Sequence, residues 1–109
     1  MAKHEFGIME RSPRPGERYD DYEPQKYAYI SVDDDWIEPI LPDLSGLDFF
    51  WHTLDIPGKG LDYSGITLIP PDTLLSMAEK LDKKPGLCDL KNLLLTAKSK
   101  NKFVIHFGI

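Results

Sequence analysis

The stretch from Leu47 to Leu81 constrains the fold more than any other part of the chain, because it predicts four consecutive elements. The apolar and aromatic run at its start is typical of a strand, and Gly58 and Gly60 favour a turn behind that strand. A second apolar run leads into Pro70, after which a helix with an apolar stripe begins. A strand, a turn, a strand and a helix in this order indicate an α+β fold.

The pattern along the whole chain predicts an antiparallel sheet of three to five strands with two C-terminal helices packed on one face. At 109 residues the chain suits one α+β domain over residues 1–109, large enough to bury about two-thirds of its unfolded surface. Residues 11–26 contain three prolines and mixed charge, without the periodicity of a strand or a helix. We therefore expect them to form a long irregular loop.

Two helices are predicted in the C-terminal third of the chain. The apolar stripe of the first recurs at intervals of three and four residues and consists of Leu74, Met77, Ala78 and Leu81. The second runs from about Leu87 to Ser99 and has a similar stripe. Cys88 lies at its start, where we expect an inert thiol because no histidine lies near it in the sequence to activate it.

Three aspartates at positions 33–35 precede apolar residues with near-helical spacing. Such a triplet is typical of a helix N-terminus, where carboxylates accept backbone N–H groups and complement the helix dipole. A calcium or magnesium site is the alternative, but the triplet lacks the glycine and the terminal glutamate of an EF-hand loop. We therefore expect it to cap a short helix that ends at Pro42.

The charge is divided along the chain. The net charge is −5, yet residues 1–78 carry 15 acidic and 6 basic residues, whereas residues 79–109 carry 3 acidic residues and 7 lysines. A predominantly acidic body repels phosphate backbones, so no nucleic-acid partner is expected. The lysines near the C-terminus are interpreted as the solvated face and dipole complement of the last helix.

The longest apolar runs are only a few residues long, far short of the roughly 20 residues that span a bilayer, and the N-terminal segment lacks the apolar core of a secretory signal. We therefore expect a cytoplasmic protein and no membrane partner. The single cysteine agrees with a reducing compartment. The sequence contains no Gly-rich phosphate loop, CxxC pair or HExxH motif, so no cofactor is expected.

The register of the predicted hairpin determines which side chains share a face. Pairing of Leu54 with Leu61 places His52 opposite Tyr63, on the side away from the helices. The candidate binding face consists of Phe50, His52, Tyr63, Tyr27 and Tyr29. Aromatic side chains with a polar tip are enriched at interfaces, which favours a partner here. The alternative is that the loop at residues 11–26 covers this face and buries it as a second small core.

His52 and His106 are the candidates for chemistry, because both lie on predicted strands. Two strand histidines with a nearby aspartate can act in acid–base catalysis or bind zinc or iron if their strands are neighbours. A small enzyme or metal-dependent protein using His52, His106 and a nearby aspartate is therefore the alternative function. No spacing in the sequence requires it, and no residue is assigned as catalytic or metal-binding.

The segment from Phe103 to Phe107 alternates strictly and predicts a strand. It must join the sheet, beside either the hairpin or the strand at residues 27–32, because five such residues left unpaired would be prone to aggregate. A place at the edge of the sheet would let it mediate a two-fold homodimer.

Three runs of the sequence lie between residues 4 and 71: HEFGIMERSPRPGERYDDYEPQKY, ISVDDD and WHTLDIPGKGLDYSGITLIPP. They resemble a family of small uncharacterised bacterial proteins with no assigned activity. The resemblance implies a bacterial, cytosolic protein and gives no role to any single residue.

Size, acidity and the lack of catalytic motifs together favour a non-enzymatic protein-interaction module. A regulator or an inhibitor, in the manner of immunity proteins that neutralise nucleases, would present its carboxylates to a basic partner. The partner expected from the sequence is a protein of unknown identity, with a second copy of the chain as a further option.

Overall fold

The computed structural model describes residues 2–109. Over this range the chain forms an antiparallel sheet of six strands and two long helices, so the α+β class is confirmed and the sheet has more strands than the three to five predicted. The strands are β1 (Lys3–Ile8), β2 (Tyr29–Asp33), β3 (Asp48–Trp51), β4 (Pro57–Lys59), β5 (Ile66–Ile69) and β6 (Val104–Phe107). The helices are the one-turn α1 (Asp34–Ile37) and α2 (Leu41–Leu44) and the longer α3 (Pro71–Lys80) and α4 (Cys88–Ser99).

The order of the strands across the sheet is β2–β1–β6–β5–β3–β4. The predicted strand near the C-terminus is confirmed as β6, but it lies in the centre between β1 and β5. A homodimer through β6 at a sheet edge is therefore excluded. All four residues of β6 are buried, which is typical of a central strand covered on both faces.

The predicted hairpin register is wrong. Leu54 does not pair with Leu61; instead, Phe50 lies opposite Leu68 in the pairing of β3 with β5. The residues predicted to form the turn, 57–59, fold back as the edge strand β4 on the other side of β3. Proline is tolerated there because an edge strand has one side on which no N–H is needed.

The long helices α3 and α4 pack together on one face of the sheet, as predicted. All four residues of the predicted α3 stripe are buried in the core on this side. From α4 the same core receives Leu90, Leu94 and Ala97. Each fully buried leucine contributes about 1.5–3 kcal/mol by leaving water. No helix in residues 2–109 is both long enough and apolar enough to cross a membrane.

Short helical turns connect β2 to β3. The side chain of Asp33 accepts a hydrogen bond from the backbone N–H of Asp35 at 3.0 Å, which confirms the predicted cap. The run between this cap and β3 is divided into α1, a 3₁₀ turn at Glu38–Ile40 and α2. Pro39 and Pro42 lie within these turns, where each lacks a backbone donor, and they keep the helices short.

Residues 11–26 cover the opposite face of the sheet. The segment is irregular except for a 3₁₀ turn at Pro24–Lys26. Tyr19 of the segment and Tyr27, which directly follows it, pack against a second apolar cluster. The buried members of that cluster are Met9, Ile66, Leu68, Ile105 and Phe107. The structure therefore shows the second small core that the sequence offered as an alternative to an open aromatic face.

Candidate functional site

Two histidines lie side by side in the middle of the sheet, on its helix-facing side. His106 on β6 lies opposite Phe6 on β1, and His4 shares the face of Phe6 because side chains alternate along a strand. The Nδ1 atom of His4 is 2.9 Å from the Nε2 atom of His106, and the rings stack with their centroids 5.1 Å apart. Both residues are fully buried.

Polar groups meet the two outer nitrogens of this pair. Nε2 of His4 is 2.9 Å from Oδ1 of Asp34, and the hydroxyl of Tyr63 donates to Oδ2 of Asp34 at 2.7 Å. At the other end, Nδ1 of His106 is 3.2 Å from Oγ1 of Thr67. We call these five residues, Tyr63, Asp34, His4, His106 and Thr67, the histidine network.

The order of donors and acceptors in the histidine network follows from the carboxylate end. A carboxylate only accepts, so Nε2 of His4 carries a proton, and in the neutral form of the ring its Nδ1 accepts. Nε2 of His106 therefore donates to His4, and Nδ1 of His106 accepts from the hydroxyl of Thr67. The same hydroxyl oxygen accepts the backbone N–H of Asp62 at 2.8 Å. With both imidazoles neutral every nitrogen has a partner, and no buried side-chain polar atom in the described residues lacks one.

Hydrogen bonds and burial shift the pKa values of three residues in the histidine network. The hydrogen bond from His4 lowers the pKa of Asp34, and Tyr63 adds to this effect. The hydrogen bond to Asp34 raises the pKa of Tyr63 to about 12. Burial lowers the pKa of His106 well below its usual value, and a proton on His4 would lower it further. At neutral pH the network therefore contains a carboxylate, a phenol and a neutral buried imidazole.

The imidazoles of the histidine network are out of reach of a substrate. His4 and His106 have no exposed surface, and a general acid or base must come within hydrogen-bond distance of its substrate. The side chain of Asp34, 16% exposed, lies at the end of the network that approaches solvent. In residues 2–109 no three His, Cys, Asp or Glu side chains have an arrangement that holds a metal ion. The hydrogen bonds of the network connect β1, β5, β6 and α1. Its titratable groups can make the stability of these connections depend on pH.

His52 belongs to a different set of contacts. It follows β3 with a left-handed backbone, φ 65°, a conformation that is uncommon for a residue other than glycine. Its Nδ1 atom is 3.0 Å from a carboxylate oxygen of Asp20, and its Nε2 atom is 3.4 Å from one of Asp62. His106 instead contacts His4 and Thr67. No hydrogen bond within the described residues joins His52 to His106, and the two rings contact different polar side chains.

The five residues predicted to bind a partner do not share one surface. Phe50 and Tyr27 pack on the second core beneath the irregular loop. Tyr63 belongs to the histidine network, and Tyr29 is 46% exposed on the outermost strand β2. The wrong hairpin register is the physical reason, because it placed Tyr63 beside His52. Whether any of these residues contacts a partner stays a prediction.

The sequence argument missed His4 and Asp34 as members of a site. A signal for His4 exists, because it alternates with Phe6 and Ile8 and so shares the buried face of β1. For Asp34 no local signal exists, since it lies between two other aspartates. His4 is 30 residues from Asp34 and 102 residues from His106, and only the folded sheet brings them together.

The surface carries an exposed tryptophan on α1. Trp36 is 43% exposed, and its indole lies so close to Gly86 that a Cβ atom at that position would overlap the ring. An apolar recess beside the indole is lined by Pro39, Ile40, Pro85 and Leu87. Asp35 also lines the recess, and Glu38 is exposed in the 3₁₀ turn that follows α1. Neither forms an ion pair within the described part of the chain. We call Asp35, Trp36, Glu38 and the recess the Trp36 surface.

No family model, curated protein or solved structure matches this chain. The bacterial source implied by the resemblance of the three sequence runs therefore stays a prediction. The function has to be argued from the residues of the chain and their geometry.

Proposed function

We propose that this protein is a non-enzymatic protein-interaction module that docks a basic partner on the Trp36 surface. The observation that carries the proposal is Trp36, which is 43% exposed and lies beside an apolar recess that Asp35 also lines. Tryptophan is among the residues that contribute most to binding free energy at interfaces. A regulator, or an inhibitor of the immunity-protein type, presents a surface of this character.

Charge favours a basic partner. The chain has a net charge of −5, and the exposed carboxylates of Asp35 and Glu38 have no counter-ion within the described part of the chain. Arginine or lysine from a partner would pair with these carboxylates and stack on the indole of Trp36 through a cation–π contact. Lys84 at the rim of the recess is already 3.7 Å from a carboxylate oxygen of Asp43. It therefore offers little repulsion to an incoming cation.

An enzymatic or metal-dependent role for His52, His106 and a nearby aspartate has less support. The ring of His106 has no exposed surface, and His52 contacts different carboxylates. A protein-interaction role needs no substrate access to either ring.

Charge-neutralising variants test the proposal at the Trp36 surface. The baits are the wild type, Trp36→Ala and the pair Asp35→Asn with Glu38→Gln. Asp72→Asn with Glu79→Gln, which neutralises two exposed carboxylates on α3, is the matched control. Partners captured from the native cell by the wild type are purified, and their affinity for each variant is measured by titration. We expect both surface variants to weaken binding at least about tenfold, and the control to bind like the wild type.

Salt provides a second readout. Pairing between exposed charges is screened, so raising the salt concentration from about 0.05 to 0.5 M should weaken the wild-type complex. Circular dichroism of each variant confirms that the fold is retained. Equal binding by all four proteins, or the absence of any captured partner, would contradict the proposal.

A further inference from the structure

The two edges of the sheet differ in their protection against another strand. At one edge, β4 is only three residues long and contains Pro57 and Lys59, features that natural sheets use to block edge-to-edge pairing. At the other edge, β2 is five residues long with the sequence YISVD. It contains neither proline nor lysine, and it pairs only with β1.

The outer side of β2 presents free backbone groups. The N–H of Asp34 donates to the carbonyl of Ala2 at 3.0 Å, which fixes the alternation of hydrogen-bonded pairs between β1 and β2. By that alternation Ile30 and Val32 bond to β1, while the N–H and C=O groups of residues 29, 31 and 33 point away from it. The C=O of Asp33, the N-cap residue of α1, accepts the first hydrogen bond of that helix. Within the described range the other outward groups have no backbone hydrogen bond elsewhere.

We propose that two copies of this chain join through their β2 strands, antiparallel about a two-fold axis at Ser31, into one continuous sheet. Tyr29 of each copy then lies opposite Asp33 of the other, and Ser31 lies opposite Ser31. The outward backbone groups meet in register, apart from the C=O of Asp33 and the N–H of Tyr29 opposite it, which forms about four hydrogen bonds. This inference concerns the sheet edge and is independent of the Trp36 surface.

The side chains fit this pairing. On the helix side, Ile30, which is only partly buried on the core, would pack against Val32 of the second copy and leave water. The acidic residues at 33–35 of the two copies would lie at opposite ends of the joint. Four residues along a strand separate them by about 13 Å, more than the Debye length of about 8 Å at physiological ionic strength. Charge repulsion therefore does not oppose the contact strongly.

The test is the oligomeric state of the full chain, measured by sedimentation equilibrium across protein concentrations. We expect a weak dimer that forms between about 10 μM and 1 mM, as for a small interface. Ser31→Pro removes an N–H that the single chain does not use, at an edge position where proline is tolerated. Ser31→Lys places a charged side chain on the edge strand, which opposes pairing with another strand as Lys59 does on β4. Both should raise the dimer dissociation constant at least about tenfold, whereas Ser31→Thr, which keeps the N–H, should dimerise like the wild type.

Hydrogen exchange identifies the contact. The amides of Ser31 and Asp33 should become protected as the wild-type concentration rises, while those of β4 do not change. A chain that stays monomeric at every concentration overturns the proposal. A dimer that both Ser31→Pro and Ser31→Lys leave intact does the same. If circular dichroism shows that Ser31→Pro is unfolded, the dimerisation of Ser31→Lys alone tests the proposal, and a dimer that this variant leaves intact overturns it.

Discussion

Acid should destabilise this protein through His106. In the unfolded chain an imidazole has a pKa near 6.5, whereas burial keeps the pKa of His106 in the folded protein well below that value. Below about pH 6.5 the unfolded state therefore binds more protons, and the free energy of unfolding falls as the pH falls. A difference of one proton is worth about 1.4 kcal/mol per pH unit, so acidification from about pH 6.5 to 5 should remove about 2 kcal/mol.

The structure explains why His4 and His106 cannot both be protonated in the folded protein. If His4 and His106 were both protonated, two N–H groups would face each other across the 2.9 Å that separates Nδ1 from Nε2. Neither ring is exposed, so water cannot solvate the added charge. The proton is therefore bound mainly by the unfolded chain.

Urea unfolding followed by tryptophan fluorescence measures this effect between pH 7 and 5. His106→Gln lacks the imidazole; it should be less stable at pH 7 but lose about 2 kcal/mol less than the wild type on acidification. His52→Gln is the control, because it removes a partly exposed histidine and keeps both buried histidines, His4 and His106. Equal acid losses in the wild type and His106→Gln would refute a neutral buried imidazole.

Three further changes test other contacts. Thr67→Val leaves two buried partners unsatisfied and should cost about 1–3 kcal/mol in thermal unfolding; an unchanged melting temperature would contradict its place in the network. An ultraviolet titration should show a tyrosine that ionises near pH 12, absent in Tyr63→Phe and shifted towards the usual value of about 10 in Asp34→Asn. Gly86→Ala forces a side chain onto a backbone with φ 77° and against an indole ring, and should cost about 1–3 kcal/mol by calorimetry. Gly46→Ala, in open space, should cost much less, and equal losses in both would contradict this argument.

Local patterns predicted the elements whose signals lie within a few residues. The stripe of α3 has a 3.6-residue period, and each of its predicted residues is buried. Strict alternation indicated the strand that became β6, and the oxygen of Asp33 caps α1 as its position suggested. In each case the information sits in one short segment.

Long-range order was not available from such patterns. The residues at 57–59 have the composition of a turn, yet they pair with β3 because an edge strand accepts proline and glycine. The observed register pairs Phe50 with Leu68, three residues away from the partner that pairing Leu54 with Leu61 would give it. The face of Phe50 was still predicted correctly, away from the helices, since the two-residue alternation of a strand is local.

In the histidine network, too, local features could be predicted from the sequence and long-range contacts could not. The inward face of His4 could be predicted from the alternation of β1, but its contact with His106 depends on which strands are neighbours. Nothing in the sequence singles out Asp34 among three consecutive aspartates. A buried polar site built from distant strands is therefore visible only once the topology is known.

The central place of β6 has a consequence for how the chain folds. Its neighbour β1 lies about 100 residues earlier. The pairings of β6 with β1 and β5 therefore cannot form until residues 104–107 have been synthesised. Until then β1 and β5 each expose a strand edge on which a neighbouring polypeptide can pair. Such a topology, dominated by distant contacts, also folds slowly. The shielding of nascent chains by chaperones should matter more for this protein than its small size suggests.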